Sequence, residues 1–263
     1  MNNFNYKKKF GQNFLKDDHI VDKILSYSDI PKNTLVVEVG PGKGILTRKL
    51  SKVAKNVISY EIDEDLQFDL INLQKQYNNI TFKFCDFLNV DLKSDLKDYK
   101  YDQIYFISNV PYYITTPILM KIMNSGINFE KIVLMVQKEV GDRFSAMPGT
   151  KNYSSITVFL NYYYKIKKLF DVNRKEFIPI PNVDSEVICF NARKEKKKVK
   201  NEEFFFKLVR DSFRFKRKTI KNNLKNYNLN KLEEVLKKYG YSLEIRAENI
   251  SVDIFVEISN ALC

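Results

Sequence analysis

Between Leu35 and about Lys194 the chain alternates short apolar runs, rich in β-branched residues, with stretches whose apolar positions recur at three- and four-residue spacing. That alternation predicts βαβ units on a largely parallel sheet, because parallel neighbours need a crossover long enough to hold a helix. The predicted strands are Leu35–Val39, Asn56–Glu61, Ile80–Cys85, Gln103–Ser108, Lys131–Val136, Ile156–Tyr164 and Glu186–Ala192. The last two follow one another with no long helical pattern between them, which suggests an antiparallel hairpin at the sheet edge. On this reading Tyr162-Tyr163-Tyr164 belongs to a strand. A charged linker, Lys194–Lys200, then marks a change of pattern. Beyond it Phe204, Leu208 and Phe213, and later Leu232, Val235 and Leu236, stand at helical spacing, with helix boundaries near Asn228-Leu229-Asn230 and Lys238–Ser242. The expected organisation is an α/β domain over residues 1–194, with an opening segment at 1–30, and a small helical domain over residues 195–263. His19, in Asp17-Asp18-His19-Ile20, reads as an ordinary helix-start residue.

Composition narrows the class. The 263 residues are 44% hydrophobic and 29% charged, ordinary globular usage that excludes wholesale disorder and collagen-like repeats. No apolar run approaches the roughly 18 residues of a membrane-spanning helix, and Met1–Gly11 is polar and basic, without the apolar stretch of a secretory signal. Three scattered cysteines (Cys85, Cys189, Cys263) and a single histidine provide neither a disulfide framework nor a zinc cluster. A reduced, cytoplasmic protein without metal is expected.

Charge adds a partner to consider. Lys and Arg outnumber Asp and Glu by 44 to 32, a formal charge of +12. Much of the excess lies between Lys194 and Lys225, where thirteen basic residues face four acidic ones, and Lys7-Lys8-Lys9 forms a second cluster. Charge alone fits either a solvated face or a phosphate-binding surface.

Three features point to a nucleotide-like ligand. Val36-Val37-Glu38-Val39-Gly40-Pro41-Gly42-Lys43-Gly44 is an apolar strand entering a glycine turn and then a helical pattern, a place where backbone can approach a ligand closely. Its spacing is neither that of a phosphate-cradling P-loop nor that of the dinucleotide Gly-x-Gly-x-x-Gly. A tight turn of purely structural use is the alternative. Glu61, at the end of the second strand, can accept hydrogen bonds from ribose hydroxyls, and Asp86, at the end of the third, can accept one from an adenine amine. In this order they resemble the nucleoside pocket of S-adenosylmethionine-dependent methyltransferases.

The segment Ser108-Asn109-Val110-Pro111-Tyr112-Tyr113 names a reaction. An exocyclic amine on an aromatic ring is a poor nucleophile because its lone pair is delocalised into the ring. Methylating it needs acceptors that hold its N–H bonds and turn the nitrogen toward the methyl donor. The Asn109 amide oxygen and the Val110 carbonyl are such acceptors, Pro111 stiffens the turn, and Tyr112 offers a stacking face. No titratable base is needed before transfer.

The sequence resembles the ribosomal RNA adenine N(6),N(6)-dimethyltransferases over residues 6 to about 258. Asn109–Tyr112 matches the family's Asn-Leu/Ile-Pro-Tyr, with Val110 a mild departure. Phe10-Gly11-Gln12-Asn13-Phe14-Leu15 matches its opening motif. Tyr113 stands where the family usually carries Asn. The resemblance implies S-adenosyl-L-methionine as cofactor, with Asn13, Leu15, Gly40, Gly42, Glu61, Asp86 and Asn109 as contacts. It implies small-subunit rRNA, or the 30S pre-ribosomal particle, as partner of a monomeric, cytoplasmic enzyme. Gln137-Lys138-Glu139-Val140-Gly141-Asp142-Arg143 and Arg217–Leu224 resemble the small-subunit maturation branch rather than the large-subunit branch that confers macrolide resistance. RNA contact is expected at Phe177, as a second wall for the target base, with a core aromatic as the alternative reading there, and along a basic helix carrying Arg210, Arg214, Lys216, Arg217, Lys218 and Lys221. The rivals are the large-subunit enzyme, a non-catalytic ribosome assembly factor, and a nicotinamide oxidoreductase, which would bind NAD in place of S-adenosylmethionine.

Overall fold

A computed structural model of the chain describes residues 14–195 and 197–263. The motif residues Phe10–Asn13, including the expected cofactor contact Asn13, lie outside the described residues. The described chain forms two compact units. The first holds the residues up to Gly141 together with Lys167–Ala192, and the second holds Asp142–Ile166 with Arg193–Cys263. A change of unit thus falls after Ala192, and residues 142–166, assigned above to the α/β domain, group with the C-terminal residues.

In chain order the elements are β1 (Phe14–Leu15), α1 (Asp18–Ser28), β2 (Thr34–Val39), α2 (Ile45–Leu50), β3 (Asn56–Glu61), α3 (Gln67–Gln76), β4 (Ile80–Phe84), α4 (Leu92–Leu96), β5 (Gln103–Ser108), α5 (Thr115–Asn124), β6 (Lys131–Gln137) and α6 (Lys138–Phe144). There follow α7 (Ser155–Tyr163), β7 (Tyr164–Val172), β8 (Phe177–Ile178) and β9 (Ser185–Ala192). The last four helices are α8 (Glu202–Ser212), α9 (Ile220–Asn223), α10 (Leu229–Lys237) and α11 (Val252–Leu262).

The main sheet runs β4-β3-β2-β5-β6-β9-β7. The pairs β2–β3, β3–β4, β2–β5 and β5–β6 are parallel, whereas β9 is antiparallel to β6, with Gln137 opposite Ser185. The chain builds outward from β2 to β4 and then returns to the other side of β2 to lay down β5. That reversal separates the carboxyl ends of β2 and β5, where open α/β sheets bind ligands. Ser108 closes the backbone there: it accepts from the Val39 N–H at 3.2 Å and donates to the Val39 carbonyl.

All six residues of β2 are buried, as a central strand covered on both faces requires. Against the sheet packs α1, capped by the Asp17 carboxylate accepting from the His19 N–H at 3.1 Å, with Ile20, Val21 and Ile24 buried on one face. Each such side chain contributes roughly 1.5–3 kcal/mol when fully buried.

One expected strand is a helix. Ile156–Tyr164 reads as strand because its β-branched residues suit one, yet Ser155–Tyr163 coils as α7 and the strand begins only at Tyr164. Ser154 and Thr157 form a capping box at its start, and the helix buries Thr157, Val158, Phe159, Leu160 and Tyr162. Its aromatics meet α8 within the second unit, with Phe159 4.9 Å from Phe206 and Tyr162 4.9 Å from Phe205. Packing overrides propensity when a short run is apolar on every side.

The second unit is helical beyond Arg193. Asn201, Asn228 and Ser251 cap α8, α10 and α11 through hydrogen bonds accepted from Phe204, Lys231 and Ile254 N–H groups. The expected basic helix from Arg210 to Lys221 is not continuous. Helix α8 stops at Ser212, residues 213–219 form a turn-rich loop, and α9 begins at Ile220. The Asn223 side chain makes the break: its Oδ1 accepts from Phe215 N–H at 3.0 Å and its Nδ2 donates to Phe215 O at 3.2 Å.

Candidate active site

A cavity of about 250 Å³ opens at the carboxyl ends of β2, β3, β4 and β5. Leu15, Gly40, Gly42, Glu61, Asp86, Asn109, Val110, Pro111 and Tyr112 all line it. Residues from five separate stretches of sequence therefore converge on one site, and each gets there as the terminus of an element.

The glycine turn requires its glycines. Gly40 and Gly42 have φ of +70° and +57°, the left-handed region that side chains disfavour. A Cβ on Gly42 would also stand 2.5 Å from Cε1 of Phe14, so the β1 aromatic ring fills the space a side chain would need. Phe14 carries no role in the sequence reading, yet it seals this edge of the cavity. Its partner strand explains how: Phe14 pairs with Ile178, and Leu15 with Phe177.

Three carboxylates stand in the wall. Glu61 is buried and holds three backbone donors: Gly42 N–H at 3.3 Å on one oxygen, Ile62 and Asp63 N–H at 2.9 Å each on the other. Burial raises its pKa, with those hydrogen bonds opposing. It thus ties the glycine turn to β3 while keeping lone-pair capacity for a further donor. Asp86 accepts from Leu88 N–H at 2.9 Å and from the Asn89 amide at 3.2 Å, which fixes its carboxylate at the end of β4.

The third carboxylate is Glu38, which the sequence reading passed over as part of an apolar strand. It is 1% exposed, and one carboxylate oxygen accepts hydrogen bonds from Thr47 at 2.6 Å and Ser59 at 2.9 Å. Burial pushes its pKa up to about 7 against those two hydrogen bonds, with the Glu61 charge adding to the rise. A charged residue inside a buried strand run was the available signal. Between the ordinary carboxylate pKa and about 7 the folded chain keeps this proton while the unfolded chain has lost it, so stability falls as pH rises through that window. Holding that proton across the window is worth on the order of 3 kcal/mol. Urea unfolding at pH 5 and pH 8 is therefore expected to show a steeper loss in the parent chain than in Glu38→Gln; parallel pH profiles would contradict the assignment.

The turn after β5 carries the remaining residues. Val110 is buried at 1% exposure, whereas Tyr113 is 59% exposed at the cavity mouth. The Tyr112 hydroxyl lies 2.6 Å from Ser185 Oγ on β9, which fixes the ring's orientation, and burial raises its pKa. Ser185 carries no role in the sequence reading, which begins the neighbouring strand only at Glu186. Phe177 corrects an expectation. Its side chain is fully buried within the apolar core of the first unit rather than lining the cavity. Arg210, Arg214, Lys216, Arg217, Lys218 and Lys221 are all exposed on the second unit. Among the described residues no group of three or more His, Cys, Asp or Glu is placed to hold a metal ion, and no helix is long and apolar enough to cross a membrane.

This sheet order, with a glycine turn and acidic residues at successive strand ends around the switch point, defines a Rossmann-like methyltransferase fold. The sequence profile described as ribosomal RNA adenine dimethylase matches residues 3–263. The chain is 41% identical to the ribosomal RNA small subunit methyltransferase A of Streptococcus gordonii, covering 98% of this chain and 92% of that protein. It is 38% identical to the protein of that name from Clostridium acetobutylicum, covering 99% and 95%. Among solved structures, a dimethyladenosine transferase from Plasmodium falciparum superposes with a TM-score of 0.77 at 28% identity, covering 93% of this chain and 95% of that one. The fold is also that of the 23S rRNA methyltransferase ErmE, with a TM-score of 0.75 at 24% identity, covering 95% and 99%. The chain belongs to the ribosomal RNA adenine dimethylase family.

Proposed function

We propose that this chain transfers methyl groups from S-adenosylmethionine to the exocyclic amines of two adjacent adenines near the 3′ end of small-subunit rRNA, giving dimethyladenine as the subunit matures in the cytoplasm. The observation that carries this reading is the meeting of the Asn109–Tyr112 turn with Glu61, Asp86 and the glycine turn in one cavity. The small-subunit assignment rests on relatives of that name at 38–42% identity over nearly the whole chain.

The wall suits a cationic nucleoside. Glu61 and Asp86 offer acceptors for hydroxyls and for an amine, Phe14, Leu15 and Phe87 offer apolar surface, and Glu38 adds buried acidity. When bound, the cofactor supplies an electrophilic sulfonium methyl. The chain supplies alignment. The Asn109 amide oxygen and the Val110 carbonyl accept the amine's N–H bonds, and Tyr112, held by Ser185, gives the adenine a stacking face. These acceptors would hold the amine nitrogen's lone pair toward the bound donor's methyl, and the proton the amine gives up would leave to solvent. Alignment and electrostatics carry the rate. Exposed basic residues of the C-terminal unit contact the RNA backbone.

The test is transfer of labelled methyl from S-adenosylmethionine to small ribosomal subunits lacking this modification, with large subunits in parallel. Label is expected as dimethyladenine in the small-subunit RNA. Label in large subunits instead would reassign the substrate, and tight subunit binding without label would make the chain an assembly factor.

A further inference from the structure

Phe213 and Phe215 stand two residues apart and meet opposite fates. Phe213 turns inward, with its ring 6.1 Å from Tyr153 and 5.9 Å from Phe255. Phe215 turns out and is 57% exposed, in a loop whose neighbours Arg214, Lys216, Arg217 and Lys218 are exposed cations. The loop is not loose at this point. Asn223 grips both the N–H and the carbonyl of Phe215, and the same carbonyl accepts from Lys218 N–H at 2.9 Å. The Arg214 guanidinium carbon lies 5.5 Å from the centre of the Phe215 ring. Three hydrogen bonds thus hold the backbone of a residue whose side chain lies largely in water, in the most basic stretch of the unit.

We propose that Phe215 is a stacking platform for an unpaired RNA base, and that the loop cations hold the flanking phosphates. Apolar rings displayed among Lys and Arg suit single-stranded nucleic acid, because a base offers a π face while its phosphates need counter-charge. Arg214 beside the ring extends the flat surface. An apolar protein partner would call for neighbouring apolar side chains, whereas this ring stands among charges. The inference rests on the RNA-contact reading of the C-terminal unit and adds to it a base-contacting residue.

The chain contains no tryptophan, so Phe215→Trp places a single reporter in the loop. Titration of that variant with protein-free small-subunit rRNA is expected to quench its emission. Phe68→Trp, at a 75% exposed position on the other unit, controls for light absorbed by the RNA and is expected to show no quenching beyond it. Phe215→Ala is expected to weaken binding roughly ten- to hundredfold, as for loss of one stacked base, with an unchanged dependence on salt. Lys218→Ala should instead reduce the salt slope by about one. Phe215→Leu should fail as Ala does; full binding by the Leu variant would mean an apolar contact rather than stacking and would overturn the proposal. So would unquenched emission from a Phe215→Trp variant that binds the RNA. Absence of RNA binding by the parent chain would overturn the RNA-contact reading itself, and the stacking with it.

Discussion

Replacing Asn109 with Ala is expected to lower kcat for methyl transfer by at least 10²- to 10³-fold, the range seen when a single preorganised polar group at a reacting centre is removed. On the proposed mechanism the adenine amine must give up conjugation with its ring to attack, and the amide oxygen of Asn109 would favour that geometry only as the nitrogen becomes tetrahedral. An interaction that strengthens toward the transition state is lost mainly from kcat. Asn109 also lines the cavity proposed to take the donor, so a smaller loss of S-adenosylmethionine affinity is expected, measurable by calorimetry. Single-turnover transfer to undermethylated small subunits separates the two effects. A variant that loses cofactor binding but transfers at the parent rate under saturation would show that Asn109 holds the donor and not the amine.

The largest expected effect on stability lies at Lys168. Glu186, on β9, is fully buried, and Lys168 on β7 reaches it at 3.0 Å while also bonding Asp171 at 2.7 Å. Removing Lys168 takes away one of the charges that offset the desolvation of this buried carboxylate. Lys168→Met should therefore cost about 3 kcal/mol, at the low end for such pairs because Lys168 keeps part of its side chain in solvent. The double variant Lys168→Met with Glu186→Leu should recover most of that loss, since the buried charge is then gone. Urea midpoints at constant m-value give the cycle. Gly141 provides an independent check, because a Cβ there would coincide with the Glu186 carboxylate. Gly141→Ala is thus expected to destabilise the parent chain and to be tolerated beside Glu186→Ala. Additive single-variant costs would remove Glu186 from this account.

The parallel strands were legible because period and burial agree in them. Asn56–Glu61 and Gln103–Ser108 run end to end as read, since apolar runs bounded by polar residues have few other uses. Tyr164–Val172 was missed because Lys165, Lys167 and Lys168 make its edge-strand alternation look like a polar connection. Within the site, residues at strand ends could be read from local motifs, as Glu61, Asp86 and Asn109 were. Glu38, Phe14 and Ser185 could not be. Their roles depend on what other elements bring to them: Thr47 and Ser59 around Glu38, Gly42 beneath Phe14, Tyr112 against Ser185. Phe177 failed in the opposite sense. An aromatic side chain reads the same in sequence whether it faces a ligand or the core, and here its partner Leu15 takes the cavity side.

The pairing of β1 with β8 also sets an order of events in the life of the chain. Phe14 meets Ile178 across about 160 positions of sequence, and Leu15 and Phe14 are themselves walls of the cavity. Closing so large a loop carries an entropy cost that only an assembled sheet can offset. During synthesis the cavity therefore lacks its β1 wall until β8 has left the ribosome, however early β2 to β5 have paired. The cavity gains this wall only once nearly the whole first unit has been made.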